Sequence, residues 1–232
     1  MSNKLTKNRK KILEKTNKHK KYSLDEASII LKEISFVKFD ASVDISVHLN
    51  IDTRIPNQMV RGTVQLPHGI GRNVYVLALV TKDKELEAKE AGADYIGLDY
   101  IEKIKSGWID IDVIVAMPSV MNQLSSVAKI LGPRGLMPNP QMDTVSINPG
   151  NSIKEIKSGK ISFKADRYGI IHASIGKVSF NSEYISNNAK AFMNKINRSK
   201  PSSSKGSYIK SIYLSTTMSS SLLVDSKSFT NK

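Results

Sequence analysis

The 232-residue sequence contains no cysteine. That excludes a disulfide framework and any thiolate metal site, and it is compatible with a reducing compartment. No apolar run approaches the ~20 residues that span a bilayer. The lysine-rich start is not followed by the apolar stretch of a secretory signal, so a cytoplasmic location without membrane association is the expectation. His19, His48, His68 and His172 show neither HExxH nor any other metal-ligand spacing, and each reads as a surface or structural residue. A Gly-Lys-Ser/Thr phosphate loop is missing too. His68-Gly69-Ile70-Gly71-Arg72 offers a Gly-x-Gly, but Val74 stands where the third glycine would be. A strand also follows where a dinucleotide site needs a helix. Neither a catalytic constellation nor a metal or cofactor is expected.

What the chain has in excess is positive charge. Its net charge is +14, from 35 basic and 21 acidic residues. Residues 1–66 hold 13 basic and 7 acidic side chains, residues 67–159 hold 10 and 11, and residues 160–232 hold 12 and 3. The two flanks therefore carry +15 and the middle −1. A polyanion is expected to be gripped by the two ends of the chain together. Solvated tails or a membrane-surface patch would have the same composition.

Periodicity agrees with that division. The first 21 residues contain nine basic residues against Glu14, with sparse apolar positions at Leu5, Ile12 and Leu13, and read as an arm or a short helix. Ser23-Leu24-Asp25-Glu26 has capping-box spacing before a helix with Leu24, Ala27, Ile30, Leu31 and Ile34 on one face. Val43, Ile45, Val47 and Leu49 alternate with Asp44, Ser46 and His48, the period of a half-buried strand, and Val60–Leu66 reads as a second strand. From Pro67 the character changes. Val74–Val80 and Val113–Met117 read as buried strands, interleaved with helices over Lys84–Ala91 and from a cap at Ser119 to Ile130. Ser152-x-x-Glu155 predicts a helix start. The chain then returns to strands at Ile161–Lys164, Ile170–Ile175 and Tyr208–Thr217, with a helix after Asn181 or Ser182 whose Ile185, Ala189, Phe192, Met193 and Ile196 share a core face.

The expected fold class is α/β with two domains. Residues 1–66 and 160–232 would form a split α+β sandwich of the split βαβ kind, and residues 67–159 an inserted, layered, Rossmann-like α/β domain. RNA recognition needs cations for phosphate, rings or flat groups for stacking, and small polar groups for the 2′-hydroxyl. The flanks supply all three. Lys38 and Phe39 precede the first strand, Ser42 opens it, Lys164, Arg167 and Lys177 border the hairpin expected about Asp166-Arg167-Tyr168-Gly169, and Ser211, Thr216, Thr217 and Met218 lie on the last strand and just beyond. On the residues alone Phe39 reads as core rather than as a stacking ring.

Ile130 to Gln141, ILGPRGLMPNPQ, holds three prolines and two glycines in twelve residues, so neither helix nor strand can run through it. With Arg134 as its only charge it shapes a surface rather than performs a reaction. Together with Gln58-Met59-Val60-Arg61-Gly62-Thr63-Val64-Gln65-Leu66-Pro67-His68-Gly69 and Phe39-Asp40, this stretch closely resembles the bacterial L-one family of large-subunit ribosomal stalk proteins, from about Tyr22 to about Met218. The resemblance implies a non-enzymatic protein whose terminal segments hold large-subunit ribosomal RNA through Lys38, Phe39, Ser42, Ser211, Thr217 and Met218. It further implies a monomer within the ribosome that contacts deacylated transfer RNA leaving the exit site, with Arg54 and Arg61 facing it, and repression of its own messenger RNA. Two departures stand out. Phe39-Asp40-Ala41-Ser42 replaces the family's Phe-Asp-Glu-Thr, and Ser219-Ser220-Ser221 replaces Gly-Pro-Gly. The rival readings are a nucleotide-binding enzyme using the middle domain, and an RNA chaperone outside the ribosome.

Overall fold

The computed structural model describes residues 6–17, 20–204 and 206–229; Leu5 and His19 lie outside them. In chain order the elements are α1 (Lys7–Lys15), α2 (Leu24–Ile34), β1 (Ser42–Leu49), β2 (Arg61–Gln65), β3 (Val76–Leu79), α3 (Glu85–Glu90), β4 (Tyr95–Ile96), α4 (Tyr100–Lys105) and β5 (Val113–Ala116). There follow α5 (Met121–Leu124), α6 (Ala128–Leu131), α7 (Pro149–Lys157), β6 (Lys160–Lys164), β7 (Ile170–Lys177), α8 (Ser182–Arg198), β8 (Ile209–Thr216) and β9 (Leu222–Val224). They fall into two units, residues 1–71 with 161–232 and residues 72–160.

The terminal unit is built on an antiparallel sheet ordered β7-β1-β8-β9. Its centre is β1, where Val43, Ile45, Val47 and Leu49 are buried and Ser42, Asp44, Ser46 and His48 are half-exposed. Alternation of this kind means one face is covered and the other is not. The cover is α2, with Leu24, Ala27, Leu31 and Ile34 inward, and α8, with Ile185, Ala189, Phe192, Met193 and Ile196 inward. Both bonds of the Ser23/Glu26 capping box form, each 3.3 Å long, which fixes where α2 begins. A ribbon of β2 and β6 completes the core through Val64 and Phe163, the latter edge-on to Phe192.

One buried polar group in this core is fully used and another is not. Asn188 on α8 has no exposed surface; its Oδ1 accepts from the His68 N–H at 3.1 Å, and its Nδ2 donates to Gly69 O at 3.0 Å and Ile175 O at 2.7 Å. These bonds hold the Pro67–Gly71 segment on the terminal unit to the point where the chain leaves it. The glycines there serve that approach. A Cβ on Gly71, whose φ is +77°, would stand 2.7 Å from the Phe180 ring. The motif is thus a packing device of the terminal unit. By contrast, the Tyr208 hydroxyl is buried without a hydrogen-bond partner among the described residues, and burial pushes its phenol up to about 12. Tyr208→Phe should therefore leave stability unchanged or raise it by up to ~1 kcal/mol, as read from the urea midpoint. A clear loss would show that the hydroxyl is bonded.

The middle unit holds a parallel sheet ordered β4-β3-β5. It is covered on both faces, as the unbroken apolar run in β3 predicts. Val76, Ala78 and Val115 meet Ala88, Ile153 and Ile156 on one side. Leu77, Leu79 and Ile114 meet Ile104, Leu124, Val127 and Leu131 on the other. The Gly132–Pro140 loop turns back onto this second cluster through Leu136 and Met137, and Thr144 closes it by bonding Asn139 through both backbone groups.

Three local expectations need correction. The stretch from Ser119 to Ile130 is not one helix but 3-10 turns alternating with α5 and α6, and Ser119 lies inside the first turn. The Ser125 and Ser126 hydroxyls bond back to the carbonyls of Asn122 and Gln123 at 2.7 and 2.9 Å, competing with the helical ladder. Ser152 does not open its helix either. Pro149 occupies the first helical position, where its missing N–H costs nothing, and Ser152 is buried within α7. Finally, β8 is not the last strand, since β9 pairs outside it.

Candidate nucleic-acid interface

Antiparallel pairing brings the start of β1 to the end of β8. Beyond the Val43–Thr216 pair the ladder continues through a side chain: the Ser42 N–H donates to Thr217 Oγ1 at 3.2 Å and the Thr217 N–H to Ser42 O at 3.1 Å. From β7, Lys177 Nζ donates to Ser42 Oγ at 3.1 Å. Asp40 is tied to the same corner, its carboxylate accepting from the Ser179 N–H at 3.0 Å and hydroxyl at 2.8 Å. With the loop anchored at Asp40, the neighbouring Phe39 ring stands outward, 58 % exposed. The core reading of Phe39 is therefore corrected: the ring precedes the strand and lies outside its alternation. Lys38 beside it is exposed as well.

Across the corner, Met218 has a left-handed backbone, φ +68°, and is 73 % exposed. A non-glycine residue adopts that conformation at a cost of order 1 kcal/mol. Here the turn is held by its successor. Ser219 Oγ accepts from the Thr216 N–H at 3.1 Å and lies 2.7 Å from Thr216 Oγ1. The serine that departs from the family pattern thus has its hydroxyl engaged inside the turn.

The other expected residues lie elsewhere. Ser211 is opposite His48, six residues along β1 from Ser42, a separation of roughly 20 Å at strand rise. Arg167 belongs to that far end: its carbonyl accepts from the Thr53 hydroxyl at 2.8 Å, and the Leu49 N–H donates to Gly169 O at 2.9 Å. Lys164 ends β6 beside Ala165, which bridges to Ile171. Arg54 follows Thr53, Arg61 opens β2, both are exposed, and neither makes an ion pair among the described residues. One expected set is thus two groups at opposite ends of β1.

Between them runs the uncovered face of the sheet, which the sequence did not single out. Rows of opposed residues cross it, Ser174–Asp44–Ser215 and His172–Ser46–Tyr213. Asp44, Ser46, His172, Ser174 and Ser215 line a shallow depression of about 370 Å³. The off-core positions of β1 were legible from alternation, but their neighbours on β7 and β8 required the register.

Asp44 is the acidic group at the centre of this face. Burial pushes its carboxyl above the usual carboxylate range, against the opposing pull of the Ser174 hydrogen bond, Lys177 and His172. A raised folded value means that Asp44 favours the fold fully below the ordinary 3.8, and that this contribution is lost as pH rises through the raised value. Asp44→Asn is therefore expected to be more stable than the parent at neutral pH, with the gap closing in acid. Melting curves at the two pH values check this. A variant that is less stable at neutral pH would show that Asp44 is held as a favourable ion.

Among the described residues no His/Asp/Glu group could hold a metal, and no helix is long and apolar enough to cross a membrane. Comparison with known proteins matches residues 31–220 to the Ribosomal protein L1p/L10e family. The chain is 58 % identical over 226 residues to the Large ribosomal subunit protein uL1 of Bacteroides thetaiotaomicron, covering 97 % of each. It is similar to the proteins of that name from Porphyromonas gingivalis, 57 % over 225 residues and 97 % of each, and Christiangramia forsetii, 54 % over 230 residues and 99 % of each.

Proposed function

Because the chain belongs to the ribosomal protein L1p/L10e family, we propose that it is a constituent of the large ribosomal subunit that holds ribosomal RNA in the mobile stalk. It is a non-enzymatic protein. The observation that carries the RNA reading is the corner where Phe39 and Met218 stand uncovered around Lys177, Ser42 and Thr217. A ring to stack on, a cation for phosphate and hydroxyls for a sugar edge meet there. The terminal unit serves as the split α+β sandwich that takes the RNA, with its far end at Lys164, Arg167 and Ser211 extending the contact. The middle unit, a Rossmann-like layered domain, stays free of the polyanion, in keeping with charges of +15 on the flanks and −1 between. On the same reading Arg54 and Arg61 face deacylated transfer RNA leaving the exit site, and the free monomer represses its own messenger RNA by binding a similar hairpin.

Co-sedimentation with large subunits through a high-salt wash tests the ribosomal assignment. Retention is expected, and a protein that binds RNA yet washes off is a chaperone instead. Repression is read separately, as reduced cell-free translation of its own message on adding the purified protein.

A further inference from the structure

The helix α1 lies outside the corner just described and has no part in the sheet. Five of its nine residues are basic, Lys7, Arg9, Lys10, Lys11 and Lys15, against Glu14. Only Ile12 is buried. Helical geometry then puts Lys7 and Lys10 on the side away from Ile12 and Lys11 on the flank between. Lys7, Lys11 and Lys15 follow one another at four-residue steps, a line of roughly 12 Å. Like charges four residues apart work against a helix; Glu14 offsets this at the spacing of Lys10 and Lys11, and Lys7 has no carboxylate at that spacing within α1.

It is nevertheless formed and anchored. Thr6 caps it through the Arg9 N–H at 3.4 Å, the Thr16 hydroxyl bonds Ile12 O at 2.8 Å, and the Asn17 N–H donates to the Tyr22 hydroxyl at 2.8 Å. Beside it opens a depression of about 470 Å³, with Lys11, Glu14 and Lys15 on one wall and Glu33, Ser35 and Phe36 on the other. Glu33 is taken up by Lys15 at 3.2 Å. The Phe36 ring is exposed, three residues before Phe39 in the same irregular segment.

We propose that α1 and Phe36 form a second RNA-binding surface, on which a strand flanking the corner site lays its phosphates along Lys7, Lys10 and Lys11 and one base against Phe36. This rests on the reading of the terminal unit as RNA-binding. The cation line supplies affinity without sequence preference, and the ring supplies a stacking face that tolerates any base. Sequence choice stays with the corner.

The test compares full-length variants by filter binding to large-subunit RNA over a range of salt. Lys7→Gln/Lys10→Gln/Lys11→Gln should lower the slope of log affinity against log salt by about two to three, at roughly 0.7–0.9 per charge. Preference for ribosomal over unrelated RNA should persist. Phe36→Ala should weaken binding about 5- to 150-fold with the slope unchanged. A control with the same charge removed from the middle unit, Lys103→Gln/Lys105→Gln/Lys129→Gln, should keep the parent slope. Circular dichroism confirms that α1 persists in each, glutamine being a good helix former. If the α1 triple variant keeps the parent slope, or the control loses as much, the inference is overturned while the corner reading stands. If the parent itself fails to bind, the corner reading falls and takes the inference with it.

Discussion

Asn188→Leu is expected to lower the stability of the terminal unit by about 2–4 kcal/mol, the largest single-residue effect outside the apolar core. Leucine has a similar size, so the loss is polar and not a cavity. Three backbone groups, the His68 N–H and the Gly69 and Ile175 carbonyls, lose the amide that satisfies them. The Ile175 bond is buried, where an unpaired carbonyl costs about 1–3 kcal/mol, and the other two are reached by water in part and cost less. Urea unfolding followed by far-ultraviolet circular dichroism reads the effect. Trp108, the only tryptophan, belongs to the middle unit, so its fluorescence reports a different region. A shift below ~1 kcal/mol in the dichroism transition would mean that the three groups find other partners and that Asn188 is dispensable.

Phe39→Ala is expected to leave the melting temperature in place and weaken binding to large-subunit RNA by about 1–3 kcal/mol, the range for a base stacked on an aromatic ring. The ring is more than half exposed, so little packing is lost with it. Truncation at an exposed site ordinarily changes stability by no more than ~0.5 kcal/mol. Filter binding and a thermal melt on the same preparation separate the two quantities. A lowered melting temperature with intact affinity would assign the ring to packing and remove it from the interface.

What the sequence made legible was what depends on near neighbours. The α2 capping box needs only Ser23 and Glu26, and both bonds form. The alternation in β1 needs only its own eight residues. Phe39 is apolar and points by character to the core, but it stands just before a strand, where no alternation constrains which way a ring turns. Ser152 and Glu155 have capping spacing, yet the proline that starts the helix before β6 lies three residues upstream. β9 has no signature in the sequence, because three residues following a run of serines carry too little pattern. The division of the candidate site between two ends of β1 could not be read at all. Ser42 meets Thr217 and His48 meets Ser211 only once the strand partners and their register are known.

The same sheet bears on the chain before it meets any RNA. A strand edge with open N–H and carbonyl groups invites a second copy to add its own strand, the usual start of aggregation. Here both outer edges are partly covered. On one side β9 is only three residues long, and Tyr22 closes it, donating to Leu223 O and accepting from the Asp225 N–H, each at 2.9 Å. On the other, Ala165 bridges to Ile171 on β7, and further along that strand the Asn188 amide takes the Ile175 carbonyl. A copy synthesised ahead of its binding partner therefore offers little backbone for another to zip onto. A net charge of +14 adds repulsion between copies to that protection.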